Sequence, residues 1–297
     1  MSASPSEQSV EPRAAIVASS QVVRGSLGNR ATVFGLETLG VPVWALPTII
    51  MPWHAGRRAG TTIIPPADDW ETLTAELAEA PWLGEVAAVL TGFLGEASQV
   101  PGLAALVGAV KRRNPRALYL CDPVLGDDGE LYVAEDLAVA IRDQLLPLAD
   151  IATPNRTELE WLAGAPLPDL DSAMSAALHL GPSTVVVTSA PVAHSGNTGN
   201  LLLTPSEALV AEHRRIPEAP HGTGDLTASL FLGRLLGGAT PAKALQATTA
   251  SVFDIIARTA KRGADELTLE TDAQSLVHPM AMVQTRHLPH PGENRRA

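Results

Sequence analysis

The sequence contains one cysteine, Cys121, and aromatic residues make up only 4% of its 297 residues. A single thiol excludes an internal disulfide framework, as is typical of proteins in a reducing compartment. No stretch reaches roughly 18 uninterrupted apolar residues, so we expect no membrane-spanning helix. Residues 1–13 are polar, with two prolines and no apolar core of a secretory signal, so we predict a cytoplasmic protein.

Basic residues are also scarce. The chain has 21 Lys and Arg residues against 32 Asp and Glu residues, which gives a net charge of −11. Nucleic acids and anionic membranes are bound by basic faces, so we expect neither as a partner. An anionic ligand must therefore be held by local features. The basic cluster at 213–215 (His-Arg-Arg) is either a solvated charge run or a phosphate contact.

Two familiar nucleotide-binding motifs are absent. No G-x-G-x-x-G follows the first apolar run, and no G-x-x-x-x-G-K-[ST] occurs anywhere in the chain. The first absence disfavours hydride transfer with a dinucleotide, and the second disfavours a P-loop kinase.

Short apolar runs alternate with helical patterns of about 10 to 15 residues, which indicates βαβ units in one mostly parallel sheet covered on both faces. We predict a single α/β domain over 14–285, between disordered tails at 1–13 and 286–297. An antiparallel hairpin is expected at the far edge of the sheet. The predicted strands are 14–19, 41–46, 86–90, 117–121, 150–153 and 184–189, with the hairpin at 200–203 and 208–212.

Residues 47–66 do not fit this alternation. The segment is rich in proline and contains two glycines together with Trp53 and His54. It is either a small flap that covers a pocket or a plain surface loop. A lone histidine such as His54 packs more often than it catalyses.

The stretch from Gly222 to Asp225 (Gly-Thr-Gly-Asp) runs directly into an apolar helical pattern. It predicts a helix N-terminus with bare backbone amides, which is a ready site for phosphate. Asp225 is either a helix cap or the base that a phosphoryl transferase needs beside the attacking hydroxyl.

Polar side chains follow several predicted strands, and in parallel sheets these ends share one edge. Asp122 begins an Asp/Gly loop that is either a divalent-metal neighbourhood or simply solvated. Ser20 lies at a ligand edge or is a turn serine, and Glu158 can be an ordinary early-turn acid. The residues expected along this edge are Ser20, Thr48, Asp122, Thr153 and Thr188.

Several motifs, taken together in order and spacing, resemble the pyridoxal kinases of the ribokinase-like superfamily. The similarity extends from about residue 14 to 285. The motifs lie at 20–25, 28–29, 90–93, 121–127, 131–133, 153–155 with Glu158, 187–189 and 222–225. The resemblance implies a three-layer αβα ribokinase-like fold with a flap over the substrate, and a homodimer.

The resemblance also implies an activity: ATP phosphorylates the 5′-hydroxyl of pyridoxal, and of pyridoxine and pyridoxamine, in vitamin B6 salvage. By motif matching, Asp225 takes the hydroxyl proton. The amides of Gly222, Thr223 and Gly224 stabilise the transferring phosphoryl group. The same matching makes Ser20, Thr48 and Phe93 contacts of the pyridine ring, with Phe93 stacking on it.

The nucleotide side follows from the same matching. Asp122 and Glu158 organise Mg²⁺, directly or through water, and Thr153 with Thr188 lies near a monovalent cation such as K⁺. The further positions that match ATP contacts are Asp127, Tyr132, Asn155, Thr188 and Ser189.

Two departures from the family pattern leave vitamer preference open. Phe93 stands where many relatives have tyrosine, and the flap segment 49–54 is more apolar than usual. The enzymatic alternative is another small-alcohol kinase of the superfamily, for a hydroxymethylpyrimidine or a sugar. A non-catalytic pyridoxal 5′-phosphate-binding protein is the other alternative, although it would have no use for a base at 225.

Overall fold

A computed structural model describes residues 13–54, 56, 58–192 and 196–291. Of the predicted tails at 1–13 and 286–297, residues 1–12 and 292–297 lie outside these ranges. The strands are β1 (Ala14–Val22), β2 (Val43–Met51), β3 (Val86–Thr91), β4 (Leu118–Cys121), β5 (Gly126–Asp127), β6 (Glu130–Leu131), β7 (Ile151–Ala152), β8 (Thr184–Ala190), β9 (Asn197–Leu203), β10 (Ala208–Arg214) and β11 (Gln284–Leu288).

The helices alternate with these strands as predicted. They are α1 (Asn29–Thr38), α2 (Ala67–Glu79), α3 (Val100–Arg113), α4 (Glu135–Ala140), α5 (Arg156–Ala163), α6 (Leu170–His179), α7 (Thr223–Leu236), α8 (Pro241–Arg262) and α9 (Ala273–Val277). Helix α4 continues through one π-helical turn at Ile141–Leu145. Among the described residues, no helix is long and apolar enough to cross a membrane.

The nine-stranded central sheet has the order β11-β10-β9-β8-β7-β4-β3-β1-β2. Neighbouring strands pair in parallel across the part of the sheet formed by β2, β1, β3, β4, β7 and β8. The remaining pairs, β8 with β9, β9 with β10 and β10 with β11, are antiparallel. This confirms the mostly parallel sheet and the antiparallel hairpin at its far side. β5 and β6 form a separate ribbon, whose Asp128-Gly129 turn has φ of 51° and 85°, as a two-residue type I′ hairpin requires.

Two apolar clusters cover the sheet. One face packs on α2, α3 and α4 through residues such as Trp70, Leu103 and Leu137. The other face packs on α1, α7 and α8 through residues such as Leu36 and Phe231. Because buried side chains fill both sides of the strands, the molecule has the three layers that the alternating pattern predicts.

The sequence-based boundary of the C-terminal tail is wrong over residues 286–288. These residues belong to β11, which pairs with β10 from Ala208↔Leu288 to Glu212↔Gln284. Arg286 also donates to Glu212 at 3.2 Å. The polar segment becomes a strand because β10 would otherwise leave a row of unpaired N–H and C=O groups at the sheet edge.

Two of the other differences from the predicted boundaries move residues of interest into strands. β1 continues to Val22 and β2 continues to Met51, so Ser20 and Thr48 lie within strands instead of after them. Pro47 does not end β2, because β2 is the outermost strand and an edge strand tolerates a missing donor. The register between the two strands shifts between Ser19 and Gln21, which marks a bulge in β2 at Thr48 and Ile49, opposite Ser20.

Candidate active site

The start of α7 forms a turn that faces the strand ends. Gly222 is the N-cap residue with φ of 96°, and a methyl group there would overlap the carbonyl oxygen of Ser26. A Cβ at Gly224, in contrast, would meet no atom within 4 Å. Glycine at 222 is therefore required by the protein itself. Glycine at 224 keeps open the space in front of the first helical N–H groups, which have no partner within the helix.

Asp225 lies in the first turn of this helix, and its side chain is partly buried. Its carboxylate accepts hydrogen bonds from the backbone N–H of Gly28 and from its own N–H. Burial outweighs these two bonds and raises the pKa of Asp225 to about 6. A carboxylate with this pKa is ionised at neutral pH and still basic enough to accept a proton from a reacting hydroxyl.

Gly28 joins this turn to the Ser20 region. It has φ of 57°, and a methyl group there would overlap the carbonyl oxygen of Ser20. Because Gly28 contacts Ser20 and donates to Asp225, the structure brings the predicted base and the Ser20 strand together.

The segment after β3 borders the same space. A Cβ at Gly92 would lie 2.6 Å from the Ser19 Oγ and 3.8 Å from the Asp225 Oδ1. The buried Ser19 hydroxyl accepts a hydrogen bond from the N–H of Phe93 at 3.1 Å. Sequence reasoning missed Ser19. Its place one residue before Ser20, on the opposite face of the strand, was the available signal.

Thr48 is buried within β2 instead of following the strand, and it contacts neighbouring segments through hydrogen bonds. Its hydroxyl donates to the carbonyl oxygen of Phe93 at 2.7 Å, and its own carbonyl oxygen accepts from Gln99 Nε2 at 2.7 Å. The hydroxyl proton is therefore committed to Phe93, and the remaining lone pair can only accept. Together, Ser19 and Thr48 hold both backbone polar groups of Phe93, its N–H and its carbonyl oxygen.

A cluster of buried carboxylates follows β4. Asp122 Oδ1 accepts from the Thr153 hydroxyl at 2.9 Å. Burial, and then the charges of Glu158 and Asp225, raise the pKa of Asp122 well above its ordinary value. Burial also raises the pKa of Glu158 to about 7, although the N–H groups of Asn155, Leu125 and Gly126 lower it. Like charges that share a desolvated site attract a cation.

Glu158 is more than an early-turn acid. It forms a capping box at the start of α5, in which Asn155 Oδ1 accepts from Glu158 N at 2.9 Å and Glu158 Oε2 accepts from Asn155 N at 2.7 Å. Its other oxygen accepts from Leu125 N at 2.9 Å, and Asn155 Nδ2 donates to the Gly126 carbonyl at 2.7 Å. The α5 cap therefore holds the Asp122 loop as well as the helix.

The ribbon of β5 and β6 carries the next two predicted residues. Asp127 is exposed, and its Oδ1 accepts from Asp128 N at 2.9 Å within the turn. The Tyr132 ring lies 6.3 Å from the Phe93 ring, and its side chain is 56% exposed. Its hydroxyl is partly desolvated by the surrounding protein and lies near the charges of Glu158 and Asp122, and both effects raise the pKa of Tyr132 above its ordinary value. The Phe93 and Tyr132 rings are therefore neighbours, with an angle of 33° between their planes.

The end of β8 completes the edge. Thr188 N donates to the Pro154 carbonyl at 2.9 Å, and Thr188 pairs with Asn155 in an isolated parallel bridge. Ser189 is exposed and has φ of 51°, which is uncommon for a residue other than glycine and is often found at functional sites. Arg214 is the last residue of β10 and Arg215 follows it. Both are exposed, and Arg215 N donates to the carbonyl of Gly196, the residue before β9.

Few side chains at this edge can serve as metal ligands. Within the described ranges, no group of three or more His, Cys, Asp or Glu side chains can hold a metal ion by itself. Mg²⁺ is normally bound by one or two carboxylates plus substrate phosphates and water. Asp122 and Glu158, two buried carboxylates with raised pKa values, fit that mode of binding.

The amino-acid sequence matches those of known proteins. A sequence model of the family described as phosphomethylpyrimidine kinase matches residues 69–270, which is more than half of the chain. The chain is 37% identical over 276 residues to the pyridoxal kinase PdxY of Rubrobacter xylanophilus, covering 91% of this chain and 95% of that one. The chain belongs to the pyridoxal kinase family.

Solved structures agree with this assignment. The pyridoxal kinase of Leishmania donovani in complex with ADP and pyridoxamine has a TM-score of 0.88 and 27% identity, over 93% of this chain and 100% of that one. The same protein with ADP and pyridoxine gives a TM-score of 0.86 at 27% identity, over 94% and 100%. These matches confirm the predicted ribokinase-like fold, the ATP-dependent kinase and the pyridoxal kinase function.

Proposed function

We propose that this kinase transfers the γ-phosphoryl group of ATP to the 5′-hydroxyl of pyridoxal and that Asp225 is its general base. The observation that carries the assignment is the position of Asp225. Asp225 lies in the first turn of α7, burial raises the pKa of its carboxyl to about 6, and Gly28, which donates to this carboxylate, also contacts Ser20.

In this mechanism the proton of the 5′-hydroxyl passes to the Asp225 carboxylate as the hydroxyl oxygen attacks the γ-phosphorus. The new O–P bond forms, the bond between the γ-phosphorus and the β,γ-bridging oxygen breaks, and ADP leaves. The N–H groups of Gly222, Thr223 and Gly224 stabilise the charge on the transferring group, helped by the positive end of the α7 dipole. The base works in its ionised form, so turnover rises as pH increases through about 6.

We further propose pyridoxine and pyridoxamine as substrates beside pyridoxal. The support is that the Leishmania donovani relative was solved with each of these two vitamers and ADP. The Phe93 ring stacks on the pyridine ring, and Ser20 and Thr48 contact the ring substituents. The hydroxyl of Thr48 accepts there, because it already donates to the Phe93 carbonyl.

On the nucleotide side, we assign Asp122 and Glu158 to Mg²⁺. When bound, Mg²⁺ neutralises charge on the β- and γ-phosphates. Glu158 already accepts backbone N–H groups with both oxygens, which favours contact through water. Thr153 and Thr188 lie near a monovalent cation such as K⁺. The residues assigned to ATP contacts are Asp127, Tyr132, Asn155, Thr188 and Ser189, with the amides of 222–224.

We also propose that the kinase is a homodimer and that it acts in the cytoplasm. The family resemblance supports the dimer. A single, fully buried thiol, Cys121, supports a reducing compartment. Light scattering on the purified full chain measures the first of these, and a monomer at micromolar concentration would contradict it.

The test of the substrate is a coupled ADP-release assay over pyridoxal, pyridoxine, pyridoxamine, hydroxymethylpyrimidine and ribose. We expect the three vitamers to have a higher kcat/KM than the other two alcohols. The hydroxymethylpyrimidine arm is included because the matching family model carries the description phosphomethylpyrimidine kinase. A preference for hydroxymethylpyrimidine would reassign the substrate and leave the kinase chemistry in place.

A further inference from the structure

A ring contact joins the flap to the turn that begins α7. The imidazole rings of His54 and His221 are stacked, with centroids 3.9 Å apart and an interplanar angle of 27°. His54 lies in the flap segment, and His221 directly precedes Gly222. The contact therefore connects two segments that are 167 positions apart in the chain and that both border the site.

The flap side of this contact is held in place by the backbone. Ile50 and Ile63 exchange two hydrogen bonds, N to O at 2.8 Å and 3.0 Å, and Arg24 N donates to the Pro52 carbonyl at 2.9 Å. The Trp53 indole N–H donates to the Arg58 carbonyl at 2.8 Å. A Cβ at Gly56 would lie 2.8 Å from the His54 ring, so Gly56 also lies close to that ring.

The turn side is equally constrained. Pro220 is buried, and Gly222 has φ of 96° with its Cα against the Ser26 carbonyl. These two neighbours leave His221 little freedom of backbone position. Its exposed ring is thus carried by the same turn whose amides we assign to the transferring phosphoryl group.

We propose that His221 is a positioning residue, which holds the flap against the phosphate-binding turn by stacking on His54. The inference rests on the proposed function for its effect on catalysis, because the flap covers the vitamer there. The stack contributes to binding through the flap, and it touches no reacting atom. His221 therefore helps to retain the alcohol substrate in the site. It does not take part in the phosphoryl-transfer step itself.

The first test is independent of turnover. Amide hydrogen exchange is measured in the full-length protein on peptides that contain Ile50 and Ile63, in wild type, His221→Ala and His221→Phe. We expect these peptides to exchange several-fold faster in His221→Ala and at the wild-type rate in His221→Phe, which keeps a ring. The α2 peptide serves as the internal reference. Equal exchange in wild type and His221→Ala would overturn the proposal, as would equally fast exchange in both variants.

The second test uses steady-state kinetics with ATP and pyridoxal. His221→Ala should raise the KM for pyridoxal by roughly twofold to tenfold, the factor that an aromatic pair is worth, with kcat within about twofold of wild type. His221→Phe should restore KM. A fall in kcat with unchanged KM would mean that His221 acts on the phosphate-binding turn and not through the flap. That result would overturn the proposal.

A pairwise control separates the stack from any other contact that His54 makes. If the two rings act together, the KM of His54→Ala/His221→Ala should be no higher than that of His54→Ala. Additive effects would contradict a shared contact. If pyridoxal is not the substrate, the exchange experiment still decides the flap contact, so failure of the two proposals can be told apart.

Discussion

Replacing Asp225 with asparagine should remove turnover and at the same time stabilise the fold. The side chain is partly buried, and its pKa is raised from 3.8 to about 6 because ionisation is disfavoured there. Asn can still accept the N–H of Gly28 with its amide oxygen, so the turn should keep its shape. The variant therefore separates the charge of residue 225 from its position.

The magnitude follows from the shift. A difference of about 2 pKa units corresponds to about 3 kcal/mol, which is an upper value because the carboxylate also faces the open cleft. For an acid with a raised pKa in the folded state, the native protein binds more protons than the unfolded chain between about pH 4 and 6. Wild-type stability is thus reduced above pH 6, and the reduction disappears as pH falls through this window.

We expect Asp225→Asn to have a free energy of unfolding about 1 to 3 kcal/mol higher than wild type at pH 7.5, and the gap should close by pH 4. Its kcat should fall by about 10²- to 10⁴-fold, the usual worth of a general base. Urea denaturation across this pH range and ADP release with pyridoxal measure the two quantities.

The matched control is Asp143→Asn, because Asp143 is an exposed aspartate that binds Arg142 far from the strand ends. This variant should keep wild-type turnover. The reasoning is refuted if Asp225→Asn retains a kcat within tenfold of wild type. It is also refuted if the stability gap does not depend on pH, since the ionised carboxylate would then not be the destabilising group.

Two other predictions address the turn and the metal. Gly224→Ala should leave the free energy of unfolding within about 0.5 kcal/mol of wild type but lower kcat/KM for ATP at least tenfold, since its methyl group meets only open space in the protein. Gly222→Ala should instead lose about 1 to 3 kcal/mol, and equal stability of the two variants in urea would contradict this contrast. Because protons compete for Glu158, whose pKa is about 7, the Mg²⁺ concentration for half-maximal ADP release should rise from pH 8 to pH 6. Glu158→Gln should flatten this rise, and an unchanged pH dependence in that variant would exclude Glu158 from the metal site.

The sequence predicted the layered fold because apolar periodicity and turn residues act locally. The alternation of short apolar runs with helices fixes the order of β1 to β8, and parallel strands necessarily bring Ser20, Asp122 and Thr153 to related positions. The Gly-Thr-Gly-Asp stretch likewise predicted the N-terminus of α7, because glycine and a following helical pattern are both visible in one short segment.

What the sequence did not predict depends on contacts between distant segments. The polar residues of β11 pair only because β10 is available, and Thr48 is buried only because β2 continues past Pro47 as an edge strand. The support of Phe93 by Ser19 required the register of β1 against β3. The His54–His221 stack joins the flap to the turn that begins α7. No local sequence pattern indicates that these two segments are close in space.

The cap of α5 has a consequence for the order of events during turnover. The carboxylate that we assign to Mg²⁺ is also the group that anchors Leu125, while Thr157 beside it accepts the N–H of Gly129 at the tip of the ribbon. If Glu158 moved to ligate the ion directly, the segment that carries Asp127 and Tyr132 would lose its anchor. If Glu158 held the ion through water, that segment would stay in place, and nucleotide would enter a lining that is already formed.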